Sequence, residues 1–224
     1  MKHIRRYDFV AFDLDGTLTD TLTSIAISSN AVLQDLGQPP LDIEAFPSLI
    51  GHGARRLVDG FLQQSYKTVP ESVAAADVFD LFSKHFAEHC TVGVTPYKGI
   101  PELLQDLKAA GVRLAVLSNK PHAETEKIAN LLFPGIFDDV YGQRDGVPRK
   151  PDPAVLLDLM DQYGVSSGRS CMVGDGDTDV LAGQKAGIDQ IACGWGYRAP
   201  EQLLALNPLA YAPDVPTLRS LLFD

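Results

Sequence analysis

The sequence predicts an α/β protein with a doubly wound parallel-sheet core and a small all-helical cap inserted after the first strand. Three observations support this class. Short apolar segments of strand length recur along the 224 residues. Segments with helical spacing, about ten residues long, lie between most of them. A longer helical stretch interrupts this alternation near the N-terminus. Strands that alternate with such helices are typical of a parallel sheet with crossover connections.

The first strand is predicted at 7–13, because its sequence YDFVAFD is apolar, rich in strand-forming residues and followed by a Gly–Thr turn. Proline and glycine mark the ends of the next helix, with Pro101 in its first turn and Gly111 after its last residue. Further strands are predicted at 112–117, 170–173 and 188–192, with a weaker one at 140–142. Helices are predicted at 100–110, 123–132, 154–163 and 178–186.

The cap is predicted between the first strand and the rest of the sheet. Helical spacing covers 21–36, 54–64 and 71–89, and no strand pattern separates these segments. Hinges are expected at 17–20 and at 91–99, because the second segment contains two glycines and a proline. The predicted domains are therefore a core of residues 1–18 and 94–224 and a helical cap of residues 19–93.

Composition excludes several classes of protein. The formal net charge is −10 and the pI about 4.8, so a nucleic-acid partner is not expected. No apolar run approaches the roughly 18 residues of a membrane span, so no membrane partner is expected either. Cys90, Cys171 and Cys193 form no CxxC motif, which favours a reducing compartment and a cytoplasmic location. The sequence leaves a monomer and a homodimer both open.

The strongest chemical signal is the segment DLDGTL at 13–18, where Asp13 and Asp15 follow a predicted buried strand. Open α/β sheets bind ligands at the carboxyl ends of their strands. Paired carboxylates suit Mg²⁺, which prefers hard oxygen ligands, and a carboxylate can also act as a nucleophile. The alternative is a strand-end turn with two solvated aspartates.

Three further patterns belong at the same edge of the predicted sheet. Ser118 and Asn119 end one strand, Lys150 precedes a helix in the segment RKPDP, and the segment GDGDTD at 174–179 follows another strand. Each pattern alone has a local explanation as a helix cap or a solvated charge. Their common position at strand ends instead predicts one site where all of them meet.

In order, spacing and context these four patterns resemble the haloacid dehalogenase superfamily. The resemblance covers essentially the whole chain, and the helical insert stands in the place of that family's small cap domain. Within the superfamily the chain is most similar to phosphoglycolate phosphatases. The stretches that carry this similarity are DLDGTLTDT, IGHGARRLV, YKGIPELLQDLKAAG, LSNKP, RKPDP and VGDGDTDVLAGQKAG.

The resemblance implies a role for each of these residues. Asp13 would be the nucleophile and a Mg²⁺ ligand. Asp15 would be the general acid and base, with its backbone carbonyl also on the metal. Asp175 would complete the protein's share of the metal ligands, and Asp179 would orient bound water or the site lysine. Phosphate binding is implied for four residues, namely Thr17, Ser118, Asn119 and Lys150.

The segment 51–56, GHGARR, is the most informative part of the cap. Its glycines allow a ligand to approach the backbone closely. Arg55 or Arg56 could bind a substrate carboxylate through two parallel hydrogen bonds. The alternative is a helix start with two solvated arginines. The predicted cap contacts to substrate are Gly51, His52, Gly53 and Arg55.

These observations predict a Mg²⁺-dependent phosphomonoester hydrolase that forms an aspartyl-phosphate and acts on a small phosphorylated metabolite, with 2-phosphoglycolate as the first choice. The dehalogenase branch of the family lacks the second carboxylate, so Asp15 argues for phosphate chemistry. The alternatives are a nucleotide or pyrophosphate phosphatase, a sugar-phosphate mutase, or a non-catalytic phosphate-binding regulator.

Overall fold

The computed structural model describes residues 6–66 and 75–223. Its strands are β1 (Phe9–Phe12), β2 (Thr19–Asp20), β3 (Thr95–Pro96), β4 (Arg113–Pro121), β5 (Asp139–Gln143), β6 (Ser170–Gly174), β7 (Asp189–Cys193) and β8 (Ala210–Ala212). Its α-helices are α1 (Leu22–Asp35), α2 (Ala54–Ser65), α3 (Ala75–His89), α4 (Ile100–Ala109), α5 (His122–Leu132), α6 (Ala154–Tyr163), α7 (Asp177–Ala186), α8 (Pro200–Leu204) and α9 (Val215–Leu222).

Six strands form one parallel sheet in the order β5-β4-β1-β6-β7-β8. The predicted α/β fold with a parallel sheet is therefore confirmed. The chain crosses from β1 to β4 on one side and later to β6 on the other, so the strand order reverses at β1. Open sheets of this kind place their ligand crevice beyond the carboxyl ends of the strands at such a reversal.

Both faces of the sheet are covered, which explains why β1 is apolar at every position. Phe9 and Ala11 point to one face, where they pack with residues of α6 and α7. Val10 and Phe12 point to the other face, in a cluster that includes residues of α4 and α9. All four side chains are fully buried. Side chains alternate between the faces of a strand, so a strand covered on both faces has no polar position.

The cap consists of α1, α2 and α3, which lie between β2 and β3 in the chain. Its core contains stacked and tilted rings, with centroid distances of 6.3 Å between Phe61 and Phe82 and 5.2 Å between Phe82 and Phe86. The strands β2 and β3 pair antiparallel where the chain enters and leaves the cap. They fall within the two segments that the sequence predicts as hinges.

Several features of the fold differ from the sequence predictions. The strand β4 continues to Pro121, four residues beyond the predicted end, and β8, α8 and α9 were not predicted. The predicted start of the third cap helix at residue 71 lies outside the described residues. The three cysteines are buried and free. Within 6–66 and 75–223, no helix has the length and apolar character needed to cross a membrane.

Candidate active site

The site forms at the carboxyl end of β1, beside the ends of β4 and β6. Asp13 directly follows β1, and its backbone N–H donates to the carbonyl of Val173 at 2.9 Å, which extends the pairing of β1 with β6 by one residue. The Asp13 residue is only 7% exposed. The sheet therefore fixes the backbone that carries this carboxylate, which is one requirement of a preorganised site.

Lys150 is held between two carboxylates. Its Nζ lies 2.9 Å from Oδ1 of Asp13 and 2.6 Å from Oδ1 of Asp179, and all three side chains are almost completely buried. Burial alone lowers the pKa of Lys150, but the charges of Asp13 and Asp179 outweigh it and leave the pKa above its usual value. The ammonium is therefore a permanent positive charge beside Asp13.

Asp175 is fixed by loops that follow β1 and β7. The Thr17 hydroxyl donates to its Oδ1 at 2.8 Å, and the backbone N–H of Tyr197 donates to its Oδ2 at 2.8 Å. The N–H of Asp175 in turn donates to the Thr17 hydroxyl at 3.0 Å. Gly16 has a φ of +83°, and a Cβ atom there would overlap the Asp175 carboxylate. This close approach requires glycine.

Asp13, Asp175 and Asp179 bring carboxylate oxygens within 4.8 Å of one another. Burial, together with the charge of neighbouring carboxylates, raises the pKa of Asp13 to about 8 and that of Asp175 to about 7. One lysine does not balance three carboxylates, and a divalent cation would supply the missing charge. Hard oxygen donors of this kind fit such a cation. Asp179 already accepts from Lys150 and, at 2.9 Å, from the N–H of Gly176.

Asp15 lies beside this cluster and has a different set of partners. Its Oδ1 accepts from the Thr21 hydroxyl at 2.7 Å, and Nζ of Lys120 lies 2.8 and 3.0 Å from its two oxygens. Sequence reasoning missed Lys120. The residue follows Ser118 by two positions on β4, so the period-2 alternation of a strand could have placed both side chains at the site.

Asn119 connects three segments around the site. Its Nδ2 donates to the carbonyl oxygens of Gly51 in the cap and Lys150 in the core, each at 3.0 Å. The neighbouring Ser118 hydroxyl accepts from the N–H of Lys120 at 3.2 Å. Ser118 and Asn119 are both buried. Asn119 thus ties the cap loop to the segment that carries the site lysine.

A cavity that is partly open to solvent lies between the core and the cap. The core side carries polar groups, namely Asp13, Asp15, Ser118, Asn119 and Lys120, next to Pro121. The cap side is apolar apart from backbone groups and consists of Ile25, Leu49, Ile50, Gly51, Gly53, Ala54, Leu57, Phe82 and Phe86. A ligand in this cavity would therefore meet charge on one side and hydrocarbon on the other.

Of the four cap residues predicted to contact substrate, two line the cavity and two lie outside it. Gly51 and Gly53 line the cavity, whereas His52 points towards the core, where its Nε2 lies 3.1 Å from Oδ2 of Asp177. The guanidinium of Arg55 lies over the ring of Phe79, 4.1 Å from its centroid. Arg55 is not among the residues that line the cavity.

The loop after β7 contacts the segments where the chain enters and leaves the cap, a role that the sequence did not suggest. Nε1 of Trp195 donates to the carbonyl of Thr17 at 3.1 Å, and the Tyr197 hydroxyl accepts from the N–H of Thr21 at 2.9 Å. The rings of Trp195 and Tyr97 meet edge to face with centroids 6.5 Å apart. The chain on both sides of the cap is therefore fixed against one core loop.

This fold and site define a class of proteins with a doubly wound parallel sheet and a capped, carboxylate-rich site at the carboxyl ends of its strands. Residues 10–193 match the sequence model of the haloacid dehalogenase-like hydrolases, and the chain belongs to this family. The resemblance inferred from the motifs is thereby confirmed. The family and the relatives described next make the chain an enzyme, a hydrolase of the phosphatase class.

Several curated relatives carry the name phosphoglycolate phosphatase. The protein from Psychrobacter arcticus is 31% identical over 92% of each chain, and the protein from Aquifex aeolicus is 33% identical over 84% of this chain and 85% of its own. Among solved structures, one from Haemophilus somnus, described as a predicted phosphoglycolate phosphatase, superposes with a TM-score of 0.85 at 26% identity. That superposition covers 96% of this chain and 98% of the other.

Proposed function

We propose that the protein is a Mg²⁺-dependent phosphomonoester hydrolase that converts 2-phosphoglycolate to glycolate and phosphate through an aspartyl-phosphate on Asp13. The observation that carries this proposal is the Asp13 carboxylate on the floor of a small capped cavity, with Nζ of Lys150 at 2.9 Å. A nucleophile beside a buried cation is suited to attack on an anionic phosphate, because the cation offsets the charge repulsion.

Two carboxylates have different roles in the proposed reaction, with Asp13 as the nucleophile and Asp15 as the acid and base. An Asp13 oxygen forms a bond to phosphorus while the bond to the ester oxygen breaks, and Asp15 gives a proton to that departing oxygen. Asp15 then takes a proton from water, whose oxygen bonds to phosphorus as the bond to Asp13 breaks. The Thr21 hydroxyl, 2.7 Å from Oδ1 of Asp15, holds the acid and base in position for both steps.

Four residues are proposed to hold the phosphoryl group, namely Thr17, Ser118, Asn119 and Lys150. The phosphoryl oxygens carry most of the charge in the transition state, so catalysis depends on fixed donors around them. Lys150 supplies a full charge and Ser118 a buried hydroxyl. The Thr17 hydroxyl donates to Asp175, so it must turn from that carboxylate to donate to a phosphoryl oxygen.

The proposed Mg²⁺ ligands are the carboxylates of Asp13 and Asp175 and the backbone carbonyl of Asp15. Bound Mg²⁺ supplies positive charge that screens the carboxylates from the phosphate. Asp179 is proposed to act through Lys150, because its Oδ1 lies 2.6 Å from the lysine Nζ. The unbalanced charge of the buried carboxylates is the observation that supports a divalent cation here.

Two observations support a small substrate. Apolar side chains of the cap close over the cavity opposite Asp13 and limit the space beside it, and the relatives named phosphoglycolate phosphatase cover most of this chain. We propose that the cap, residues 19–93, moves relative to the core, residues 1–18 and 94–224, as substrate enters and leaves. We retain the cytoplasmic location and the choice between monomer and homodimer as predictions.

Phosphate release from a panel of esters tests the proposal. The panel contains 2-phosphoglycolate, sugar phosphates, nucleotides and pyrophosphate, each measured with Mg²⁺ and with excess chelator. We expect 2-phosphoglycolate to give the highest kcat/KM and chelator to abolish turnover until Mg²⁺ is restored. Preference for a nucleotide or pyrophosphate would reject the substrate and keep the phosphatase. Isomerisation of a sugar phosphate without phosphate release would favour the mutase, and binding without turnover would favour the regulator.

A further inference from the structure

The cavity contains a positive charge to which the proposed reaction assigns no contact with the substrate. Among the residues of 6–66 and 75–223 that line it, Lys120 is the only lysine or arginine. Lys150 faces Asp13 from the core and is engaged by two carboxylates. Lys120 is paired with Asp15 alone, so a substrate with a second anionic group has Lys120 as the lysine it can contact inside this cavity.

Lys120 is held in an environment that strengthens its interaction with an anion. Its side chain is only 2% exposed, and its Nζ lies 4.7 Å from the centroid of the Phe86 ring. The cap wall opposite is apolar, with Leu57, Phe82 and Phe86 facing the cavity. Charges interact more strongly where water is excluded, and an unpaired carboxylate would be costly to bury in such a place.

The order of groups along the cavity floor limits where the second anion can lie. Asp13 marks the position of phosphorus, and Asp15 marks the oxygen that leaves. Nζ of Lys120 contacts both Asp15 oxygens, at 2.8 and 3.0 Å, so it lies next to the leaving group. An anionic group that reaches Lys120 must be attached close to the ester oxygen, as the carboxylate of a phosphorylated short hydroxy acid is.

We infer that Lys120 is the residue that recognises the carboxylate of the substrate and selects short, carboxylate-bearing phosphomonoesters. This inference rests on the proposed function, which it deepens by assigning specificity to the core. The sequence alone pointed instead to Arg55 or Arg56, and of these it predicted a substrate contact for Arg55. In the structure that guanidinium stacks on Phe79 and lies outside the set of residues that line the cavity.

A matched pair of substrates isolates the carboxylate. Ethyl phosphate has the two-carbon skeleton of 2-phosphoglycolate without its carboxylate. The measured quantity is the ratio of kcat/KM for phosphoglycolate to kcat/KM for ethyl phosphate. We expect Lys120→Met to lower this ratio about 30-fold or more, because it removes a buried counter-charge. Lys120→Gln should lower it similarly while retaining a hydrogen-bond donor for Asp15. Lys84→Met, on the exposed side of α3, makes the same chemical change outside the cavity and should leave the ratio unchanged.

The ratio of the two kcat/KM values distinguishes two roles of Lys120, which are binding of the substrate carboxylate and support of Asp15. If both variants slow the two substrates equally, Lys120 only supports the acid and the inference is overturned. If the wild-type enzyme hydrolyses both esters but has no preference for phosphoglycolate, the inference is also overturned, whereas phosphatase activity stands.

Binding to an inactive protein tests the same point without turnover. Calorimetric titration of 2-phosphoglycolate into Asp13→Asn, with Mg²⁺ present, should give a Kd that rises about 30-fold or more when Lys120→Met is added. The Kd of ethyl phosphate should change less than about threefold. If the wild type releases no phosphate from either ester, the proposed hydrolysis fails while this titration still decides the role of Lys120. An unchanged phosphoglycolate Kd would overturn the inference.

Discussion

Nη2 of Arg198, on the core, donates to the carbonyl oxygen of Ile50, on the cap, at 2.6 Å. Nη1 of the same guanidinium donates to the carbonyl of Pro47 at 3.0 Å. His52 adds a second link, because its Nε2 lies 3.1 Å from Oδ2 of Asp177. The loop that carries Gly51 is thereby tied to the core. We call these contacts of Arg198 and His52 the cap latch.

Loss of the cap latch should loosen the cap loop without unfolding the core. We expect Arg198→Ala to speed hydrogen exchange of the amides in 50–53 at least about threefold, because two loop carbonyls lose their donor. Exchange in β1 and β6 should be unchanged. Arg219→Ala is the control, because it breaks an ion pair with Asp106 that joins two parts of the core. Equal exchange in both variants would show that the latch does not hold the loop.

Asp13→Asn should abolish catalysis while keeping the fold. The amide keeps the volume of the side chain but is a very poor nucleophile, so we expect kcat to fall by at least about 10³-fold, roughly 4 kcal/mol of barrier. The melting temperature should not fall, because one charge leaves a crowded carboxylate cluster. Steady-state phosphate release and thermal melts measure the two effects. Near-normal turnover of a folded variant would exclude Asp13 as the nucleophile.

Stability without metal should decrease as the pH rises. The pKa of Asp175 is raised from 3.8 to about 7 by burial, followed by the charge of Asp179. A carboxyl with a raised folded-state pKa stabilises the fold fully below its unfolded pKa and loses this contribution as the pH passes its folded pKa. Thermal melts in chelator should therefore show a lower Tm at pH 8 than at pH 5, by about 4 °C or more.

Two comparisons assign this loss of stability to the carboxylate cluster. Asp175→Asn should reduce the pH-dependent fall in Tm, because the amide does not ionise. Saturating Mg²⁺ should reduce it in the wild type, because a bound cation favours the ionised carboxylates. A fall in Tm that persists unchanged in Asp175→Asn would place its origin in other groups.

The fold could be predicted where local pattern and burial agree. The helix predicted at 154–163 matches α6, and the predicted strand at 170–173 differs from β6 by one residue. Edge elements with short patterns were missed, as β8 has three residues and pairs on one side only. The helix α9 does carry a start signal, since Asp214 accepts from the N–H of Thr217 at 2.8 Å and a proline follows.

The site residues also divide into those whose position the sequence could predict and those whose contacts it could not. Asp13, Ser118 and Asp175 follow or end predicted strands, so parallel topology alone brings them to one edge. The pairing of Lys120, near the end of β4, with Asp15 and the contact of Arg198 with the cap join segments that are distant in the sequence. Strand alternation could place Lys120 at this edge, but sequence spacing contains no information on its pairing with Asp15 or on the contact of Arg198 with the cap. The two arginines of the cap were therefore the candidates for substrate recognition.

Arg55 provides the final test of how substrate is selected. Its guanidinium stacks on Phe79 of α3 at 4.1 Å, an interaction worth about 0.5–1 kcal/mol at an exposed site. We expect Arg55→Ala to lower the Tm by about 2 °C and to leave the ratio of kcat/KM for phosphoglycolate and ethyl phosphate within about threefold of the wild type.

Arg56→Ala is the matched control for Arg55→Ala, because Arg56 is the next residue of α2 and is also exposed. It should change neither the Tm nor the ratio. A ratio that falls about tenfold or more in Arg55→Ala would show that Arg55, in the cap, binds the substrate carboxylate. Loss of a charge-assisted hydrogen bond accounts for a change of that size. Because the Lys120 variants are measured with the same two esters, the residue with the larger loss of discrimination is the one that binds the carboxylate.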